Sequence, residues 1–153
     1  VTLVPDGPDV ITSNAGWDCI AKKDYLTPII KRFKDAGIRV SIFLDPIVEQ
    51  VDAALGCGAD RVELYTEAYA SNYPTGKEIA IAPYKETAKR ATELGLGINA
   101  GHDLSLENLN YFVTEIPETL EVSIGHALIS DALYYGFSNV VGMYKAKLVN
   151  SEA

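Results

Sequence analysis

The sequence contains few of the residues that mark metal-binding, redox or secreted proteins. Among its 153 residues there are only two cysteines, two histidines, one tryptophan and one methionine. Cys19 and Cys57 lack the close spacing of metal ligands or redox pairs, so we expect both to be small buried thiols. The apolar start at Val1 is interrupted at once by Pro5 and does not resemble a secretory signal. Reduced thiols without such a signal predict a cytoplasmic protein.

Basic charge is also scarce. Lysine and arginine total 13 against 21 aspartate and glutamate residues, which gives a formal net charge of −8. The basic residues are scattered and form no stripe, so a nucleic-acid partner is disfavoured. No apolar run approaches the ~20 residues that span a bilayer, so no membrane partner is expected. The remaining composition, 48% hydrophobic and 22% charged, predicts a single globular domain over residues 1–153.

Short β-rich runs alternate with helical patterns along the chain. The predicted strands are Thr2–Val4, Arg39–Leu44, Arg61–Tyr65, Gly97–Ala100 and Glu121–Ile124. The predicted helices are Tyr25–Asp35, Pro46–Leu55, Ile79–Leu94, Ser105–Phe112 and Ser130 to about Val149. Thr66–Lys77, with its Ser, Asn, Pro and Gly, is predicted to be a long loop, either an active-site lid or an irregular connection.

This alternation predicts βαβ units and a parallel sheet. Two architectures fit five strands. One is an open flavodoxin-like sheet, which is complete at five strands. The other is part of an eight-stranded (β/α)8 barrel, which typically needs ~250 residues. The pattern alone leaves both open.

The two histidines occupy equivalent positions after two predicted strands. His102 follows Gly101 after the fourth strand, and His126 follows Gly125 after the fifth. In both architectures functional residues gather at the carboxyl ends of the strands. A lone histidine is more often structural, but the repeated Gly-His pair favours a function, and imidazole suits proton transfer near neutral pH. Because late barrel loops often bind phosphate, both pairs are candidates for such a site.

Glu63 and Thr12 are further candidates. Glu63 lies inside a strand, where a carboxylate is costly unless it is paired or hydrogen-bonded. It is either an ion-pair partner of Arg61 or a nearby lysine, or a carboxylate close to reacting atoms. Thr12 lies in a small-polar loop that either binds a phosphate or hydroxyl group or makes only local turn contacts. Asp45, before Pro46, is expected to cap the following helix and to do nothing more. Two separate Gly-His pairs do not make a metal site.

In their order and spacing, several motifs resemble the pyridoxine 5′-phosphate synthase family. They are Leu3-Val4-Pro5, Ile42-Phe43-Leu44-Asp45, Val62-Glu63-Leu64-Tyr65, Asn99-Ala100-Gly101-His102-Asp103 and Ile124-Gly125-His126-Ala127. The resemblance implies an α/β fold, a (β/α)8 TIM barrel of which this chain supplies strands 4–8 with their helices. It also implies a homo-oligomeric transferase that condenses 1-deoxy-D-xylulose 5-phosphate with 3-amino-2-oxopropyl phosphate, without metal or organic cofactor.

The resemblance assigns roles to six residues. His102 corresponds to a proton-donating histidine, and Glu63 to a glutamate that supports the transition state. Thr12 corresponds to a contact with the deoxyxylulose phosphate. The positions that bind the amino-ketone phosphate are Asp103, Gly125 and His126. Position 103 is often glycine in that family, so its contact is expected through the backbone.

The family's first three strands and its main catalytic base have no counterpart in this sequence. We therefore expect the isolated chain to be an inactive part of a longer protein, since five strands cannot close a barrel. The alternative is a non-catalytic phosphate-binding α/β module on an open five-stranded sheet. A Schiff-base aldolase is disfavoured, because no lysine lies within a predicted strand.

Overall fold

The computed structural model describes residues 1–149 and contains one parallel sheet. Its strands are β1 (Thr2–Leu3), β2 (Ser41–Leu44), β3 (Arg61–Tyr65), β4 (Gly97–Gly101) and β5 (Thr119–Ser123). All neighbouring strands are parallel and lie in chain order, β1-β2-β3-β4-β5. Each predicted strand is confirmed, with ends that differ by one or two residues.

The strand order distinguishes the two architectures. A flavodoxin-like sheet places its first strand between the second and the third. Here β1 lies at one edge of the sheet and pairs with β2. The strands follow one another in chain order, as they do in the wall of a barrel. The open flavodoxin-like arrangement is therefore wrong for this chain. Across residues 1–149 the sheet is open, with β1 and β5 at its edges.

Six helices connect or follow the strands. They are α1 (Lys23–Asp35), α2 (Val48–Cys57), α3 (Glu67–Glu93), α4 (Leu109–Glu115), α5 (His126–Tyr135) and α6 (Phe137–Leu148). The apolar stripe of α1 buries Leu26 and Ile30. Gly58 ends α2 with φ 93°, a left-handed conformation that glycine adopts without a Cβ clash. No helix within this part of the chain combines the length and apolar composition needed to cross a bilayer.

The predicted loop at Thr66–Lys77 is wrong, because helix α3 begins at Glu67. It is interrupted only at Gly76, where the backbone is extended (φ 178°, ψ 83°). Tyr69 explains the helix: its ring is fully buried and its hydroxyl donates to the Asn108 carbonyl at 2.7 Å. Burial of this aromatic residue outweighs the breaking signals of Pro74 and Gly76, as tertiary contacts commonly override local propensity.

Two other helix predictions need correction. The predicted single helix from Ser130 to about Val149 is two helices, because Gly136 takes φ 81° between α5 and α6. The first of them begins earlier than predicted, at His126. The predicted helix Ser105–Phe112 starts only at Leu109, because Asn108 Oδ1 accepts the Ser105 N–H at 2.8 Å and holds a turn there.

The two faces of the sheet differ in chemistry. On one face, side chains of β2, β3 and β4 join the helices in a single buried core; they are Ile42, Leu44, Val62, Leu64, Ile98 and Ala100. Strand alternation puts polar residues on the opposite face. These are Thr2, Ser41, Arg61, Glu63, Asn99, Glu121 and Ser123. The polar face leads to the carboxyl ends of the strands, where the candidate site lies.

Both cysteines are free and buried, as predicted. Burial raises the pKa of the Cys19 thiol to about 12. The pKa of Cys57 is also raised, again chiefly by burial. Both thiols therefore stay protonated at neutral pH and act as small core residues.

Candidate functional site

A cleft at the carboxyl ends of the strands contains most of the predicted site residues. Its volume is about 470 Å³, and it is lined by Thr2, Val4, Asp6, Thr12, Ser13, Phe43, Glu63, His102, Ser123, Gly125 and His126. Five of the six predicted residues thus share one cavity. The sixth, Asp103, contacts His102 at its edge.

The His102 ring is held at both nitrogens. Nε2 lies 2.6 Å from Thr12 Oγ1, and Nδ1 lies 2.8 Å from Asp103 Oδ2. The Tyr65 ring packs against it in a T-shaped arrangement, with ring centroids 5.5 Å apart. Thr12 lies in the loop between β1 and α1 (residues 4–22, the β1 loop), 90 residues from His102 in sequence. This contact therefore ties two strand ends together.

The backbone at His102 is strained and clamped. Its φ of 86° is the only positive value at a non-glycine residue within residues 1–149, and such a conformation costs about 1–3 kcal/mol. The Thr66 hydroxyl donates to the Gly101 carbonyl at 2.7 Å and accepts the Asp103 N–H at 3.1 Å. The His102 N–H donates to the Ser123 carbonyl at 2.9 Å. Backbone strain that is maintained by several hydrogen bonds is typical of a functional loop.

Removing the Thr66 hydroxyl is expected to destabilise this loop. Thr66 is fully buried, so Thr66→Val would leave the Gly101 carbonyl and the Asp103 N–H without partners. At about 1–3 kcal/mol for each of the two unsatisfied groups, we expect a loss of about 2–6 kcal/mol in the free energy of unfolding. Urea denaturation measures it. Thr66→Ser, which keeps the hydroxyl, is the control, and an equal loss in both variants would contradict this interpretation.

Glu63 is buried and faces the same cleft. It is 6% exposed, and Thr2 Oγ1 donates to its Oε2 at 2.8 Å. Its suggested ion pair with Arg61 does not form, because Arg61 instead binds Asn99 and Glu121. Among the described residues, no other basic side chain forms an ion pair with Glu63. A Cβ on Gly101 would lie 3.0 Å from Glu63 Oε1 and 2.5 Å from the Ser123 carbonyl, so this approach requires glycine.

His126 and Gly125 form the opposite side of the cleft. The His126 ring centroid lies 6.0 Å from that of His102, so the two Gly-His strand ends face each other. Helix α5 starts at His126. The space beside Gly125 is open, since a Cβ added at this position would meet no atom within 4 Å. The amino end of a helix beside open space suits an anion.

Asp103 makes two contacts within the protein that bear on its predicted role. Its backbone N–H, expected to bind phosphate, donates to Thr66 Oγ1. Its carboxylate instead contacts the His102 ring. The prediction that Asp45 caps the following helix is wrong, because α2 has Ile47 at its N-cap and no side-chain cap. Asp45 Oδ2 instead accepts the Gly16 N–H at 3.1 Å and anchors the β1 loop.

Tyr65 is a site residue that the sequence prediction missed. Its hydroxyl donates to the Ser13 carbonyl at 3.3 Å, which supports the β1 loop over the cleft. Burial raises the pKa of its phenol, and the nearby carboxylates of Asp103 and Glu67 raise it further, so it remains a donor. Its position two residues after Glu63 in β3 was the available signal, since such residues share a face.

Comparison with known proteins identifies a family. The family model described as pyridoxal phosphate biosynthesis protein PdxJ matches residues 1–150. The pyridoxine 5′-phosphate synthase of Cytophaga hutchinsonii is 60% identical over 148 residues, which are 97% of this chain and 62% of that protein. The corresponding protein of Flavobacterium johnsoniae is 57% identical over the same shares of each chain. The chain thus spans about three fifths of the length of these relatives.

A solved structure with a similar fold is that of the HMG-CoA lyase from Brucella melitensis. The TM-score is 0.50 at 16% identity, over 74% of this chain and 44% of that one. At this identity the likeness concerns the fold alone.

Proposed function

The chain belongs to the family of the pyridoxal phosphate biosynthesis protein PdxJ, and on that premise we propose that it forms part of a pyridoxine 5′-phosphate synthase. The observation that carries the proposal is the convergence of the two Gly-His strand ends over a buried glutamate. The rings of His102 and His126 are 6.0 Å apart, and Glu63 lines the same cleft. The proposed reaction condenses 1-deoxy-D-xylulose 5-phosphate with 3-amino-2-oxopropyl phosphate.

We assign the proton transfer to His102. Closing a ring with loss of water and phosphate requires a proton donor for a departing oxygen, and imidazole suits that task near neutral pH. The ring lines the cleft and is fixed at both nitrogens. Among the described side chains, only Thr2 donates a hydrogen bond to the Glu63 carboxylate. We propose that this carboxylate stabilises positive charge that develops on the substrate.

We assign phosphate binding to the opposite wall. Gly125 and His126 lie at the amino end of the ten-residue helix α5, where free N–H groups and the helix dipole favour an anion. The proposed ligand there is the amino-ketone phosphate. Thr12, whose hydroxyl reaches the cleft from the β1 loop, would contact the deoxyxylulose phosphate.

The charge of the cleft indicates that other groups complete it. Asp6 and Glu63 line it, whereas no lysine or arginine does among the described residues. Two phosphorylated substrates need opposing positive charge. We therefore propose that further basic groups come from βα units outside this chain, and that the isolated chain is inactive.

The same units would complete the fold. We propose that β1 to β5 are strands 4–8 of a (β/α)8 TIM barrel, and that residues 1–153 are one domain forming its C-terminal part. Two features support this: the sequential parallel order and the helices on the apolar face. Exposed apolar residues on α5, such as Leu133 at 82% and Tyr134 at 86%, suit burial by added units or by a homo-oligomer.

A chimera tests this proposal. The segment of the Cytophaga hutchinsonii relative that this chain does not match would be joined to residues 1–153. We expect the purified chimera to form pyridoxine 5′-phosphate from the two substrates, and the chain alone to form none. The intact relative is the positive control. A chimera that folds, by circular dichroism and a cooperative urea transition, but forms no product would overturn the proposal and favour a non-catalytic phosphate-binding module.

A further inference from the structure

We propose that Asp103 is a positioning residue that fixes the tautomer of His102. Its carboxylate would hold the ring proton on Nδ1 and leave the Nε2 lone pair directed at the Thr12 hydroxyl and the cleft. Nε2 would therefore first take up a proton from the substrate and then return it to the departing oxygen. This inference rests on the proposed function only for the assignment of proton transfer to His102. It gives Asp103 a role through its side chain, whereas the family resemblance predicted a substrate contact through its backbone.

The hydrogen-bond inventory of the two side chains leads to this assignment. Asp103 Oδ2 lies 2.8 Å from His102 Nδ1, and an ionised carboxylate can only accept a hydrogen bond. Nδ1 must therefore carry the proton. In a neutral ring Nε2 is then an acceptor, and the Thr12 hydroxyl at 2.6 Å donates to it.

Side-chain hydrogen bonds to the surrounding backbone hold His102 and Asp103 in this geometry. Thr66 Oγ1 accepts the Asp103 N–H and donates to the Gly101 carbonyl, on either side of the strained His102. Asn108 Nδ2 donates to the Asp103 carbonyl at 3.4 Å. Because adjacent side chains rarely meet without such a turn, the positive φ of His102 makes the contact possible. The backbone strain at His102 and the hydrogen bond from its Nδ1 to Asp103 Oδ2 therefore belong to the same local geometry.

Partial burial strengthens the hydrogen bond between His102 and Asp103. The side chains of His102 and Asp103 are 20% and 29% exposed, so solvent competes with the hydrogen bond only in part. The negative charge of Asp103 is also felt nearby, since after burial it is the largest cause of the raised pKa of Tyr65. The Tyr65 hydroxyl donates to the Ser13 carbonyl, and Nδ1 of His102 has Asp103 Oδ2 as its hydrogen-bond partner.

The second histidine provides a comparison within the same chain. His126 also follows a glycine at a strand end, but Ala127 comes next where Asp103 follows His102. Within residues 1–149 the His126 ring makes no side-chain hydrogen bond. The two Gly-His pairs therefore differ in backbone conformation and in the neighbouring carboxylate, and only His102 is given a fixed tautomer.

Nitrogen-15 NMR of the imidazole rings tests the proposal without turnover. In the chain at about pH 8.5, above the ordinary imidazole range, we expect His102 Nδ1 to be protonated and Nε2 to be unprotonated. His102→Gln assigns the signals. Asp103→Ala should shift His102 toward Nε2 protonation, and Asp103→Glu should restore the original pattern. Asp24→Ala, which removes an exposed carboxylate on α1 outside the cleft, should change nothing. A His102 proton on Nε2 in the unaltered chain, or no change in Asp103→Ala, would overturn the proposal.

Kinetics in the chimera separate positioning from substrate contact. Asp103→Ala should lower kcat by about 10-fold or more, part of the 10²–10⁴-fold that a positioned acid–base group contributes. KM should change little. A rise in KM with unchanged kcat would assign Asp103 to substrate binding and overturn the positioning role. Because the ring tautomer is read without substrate, failure of the proposed function would leave the NMR result intact.

Discussion

Replacing His102 with glutamine in the chimera is expected to lower kcat by about 10²–10⁴-fold. Glutamine keeps a polar side chain of similar reach, but it cannot donate or accept a proton during reaction at neutral pH. KM should stay within a few-fold, because phosphate binding is assigned to the opposite wall at Gly125 and His126. Steady-state formation of pyridoxine 5′-phosphate gives both constants.

His126→Gln is the matched control for this variant. Both substitutions remove an imidazole from a Gly-His strand end in one cleft. If His126 binds phosphate, its loss should raise KM and leave kcat within a few-fold. Equal effects of both variants on kcat would contradict the separate roles, and an active His102→Gln enzyme would contradict proton transfer by His102.

A second large effect is expected in the core beneath the site. Phe112 is fully buried, and its ring makes T-shaped contacts with the rings of Tyr69 and Tyr84 at centroid distances of 5.2 and 5.7 Å. Tyr84 in turn donates to the Tyr65 carbonyl at 2.9 Å. Phe112→Ala should reduce the free energy of unfolding by about 3–5 kcal/mol, from lost burial and the cavity left behind. Urea denaturation measures the change.

Ile79→Ala is the control for this substitution. Ile79 is 82% exposed on α3, so its truncation should change stability by no more than about 0.5 kcal/mol. A loss below about 1 kcal/mol for Phe112→Ala would mean that the aromatic cluster is not packed as described. It would also remove the reason given for the helix at Glu67.

The strands and the cleft could be predicted from local pattern because parallel strands end at one edge. The Gly-His pairs stood directly after buried apolar runs, so His102 and His126 were expected at neighbouring strand ends, and the structure places their rings 6.0 Å apart. Glu63 was identified because a carboxylate between Val62 and Leu64 is costly without a purpose.

The failures come from long-range contacts. Nothing near Tyr69 in sequence shows that its ring packs against Tyr84 and Phe112. This packing explains why helix α3 begins at Glu67, where a loop over Thr66–Lys77 was predicted. The strand order could not be obtained either, because alternation alone suits both a flavodoxin-like sheet and a barrel wall. The contact of Asp103 with His102 depends on a positive φ that no residue type encodes at that position.

Substrate binding at the two histidines tests the central claim most directly, which is that the two Gly-His strand ends form one site for phosphorylated substrate. The chimera, with labelled imidazole nitrogens, would be titrated with 1-deoxy-D-xylulose 5-phosphate and then with 3-amino-2-oxopropyl phosphate. We predict saturable shifts of the His102 ring with the first ligand and of the His126 ring with the second. Saturation with both ligands and no shift at either ring would contradict the account.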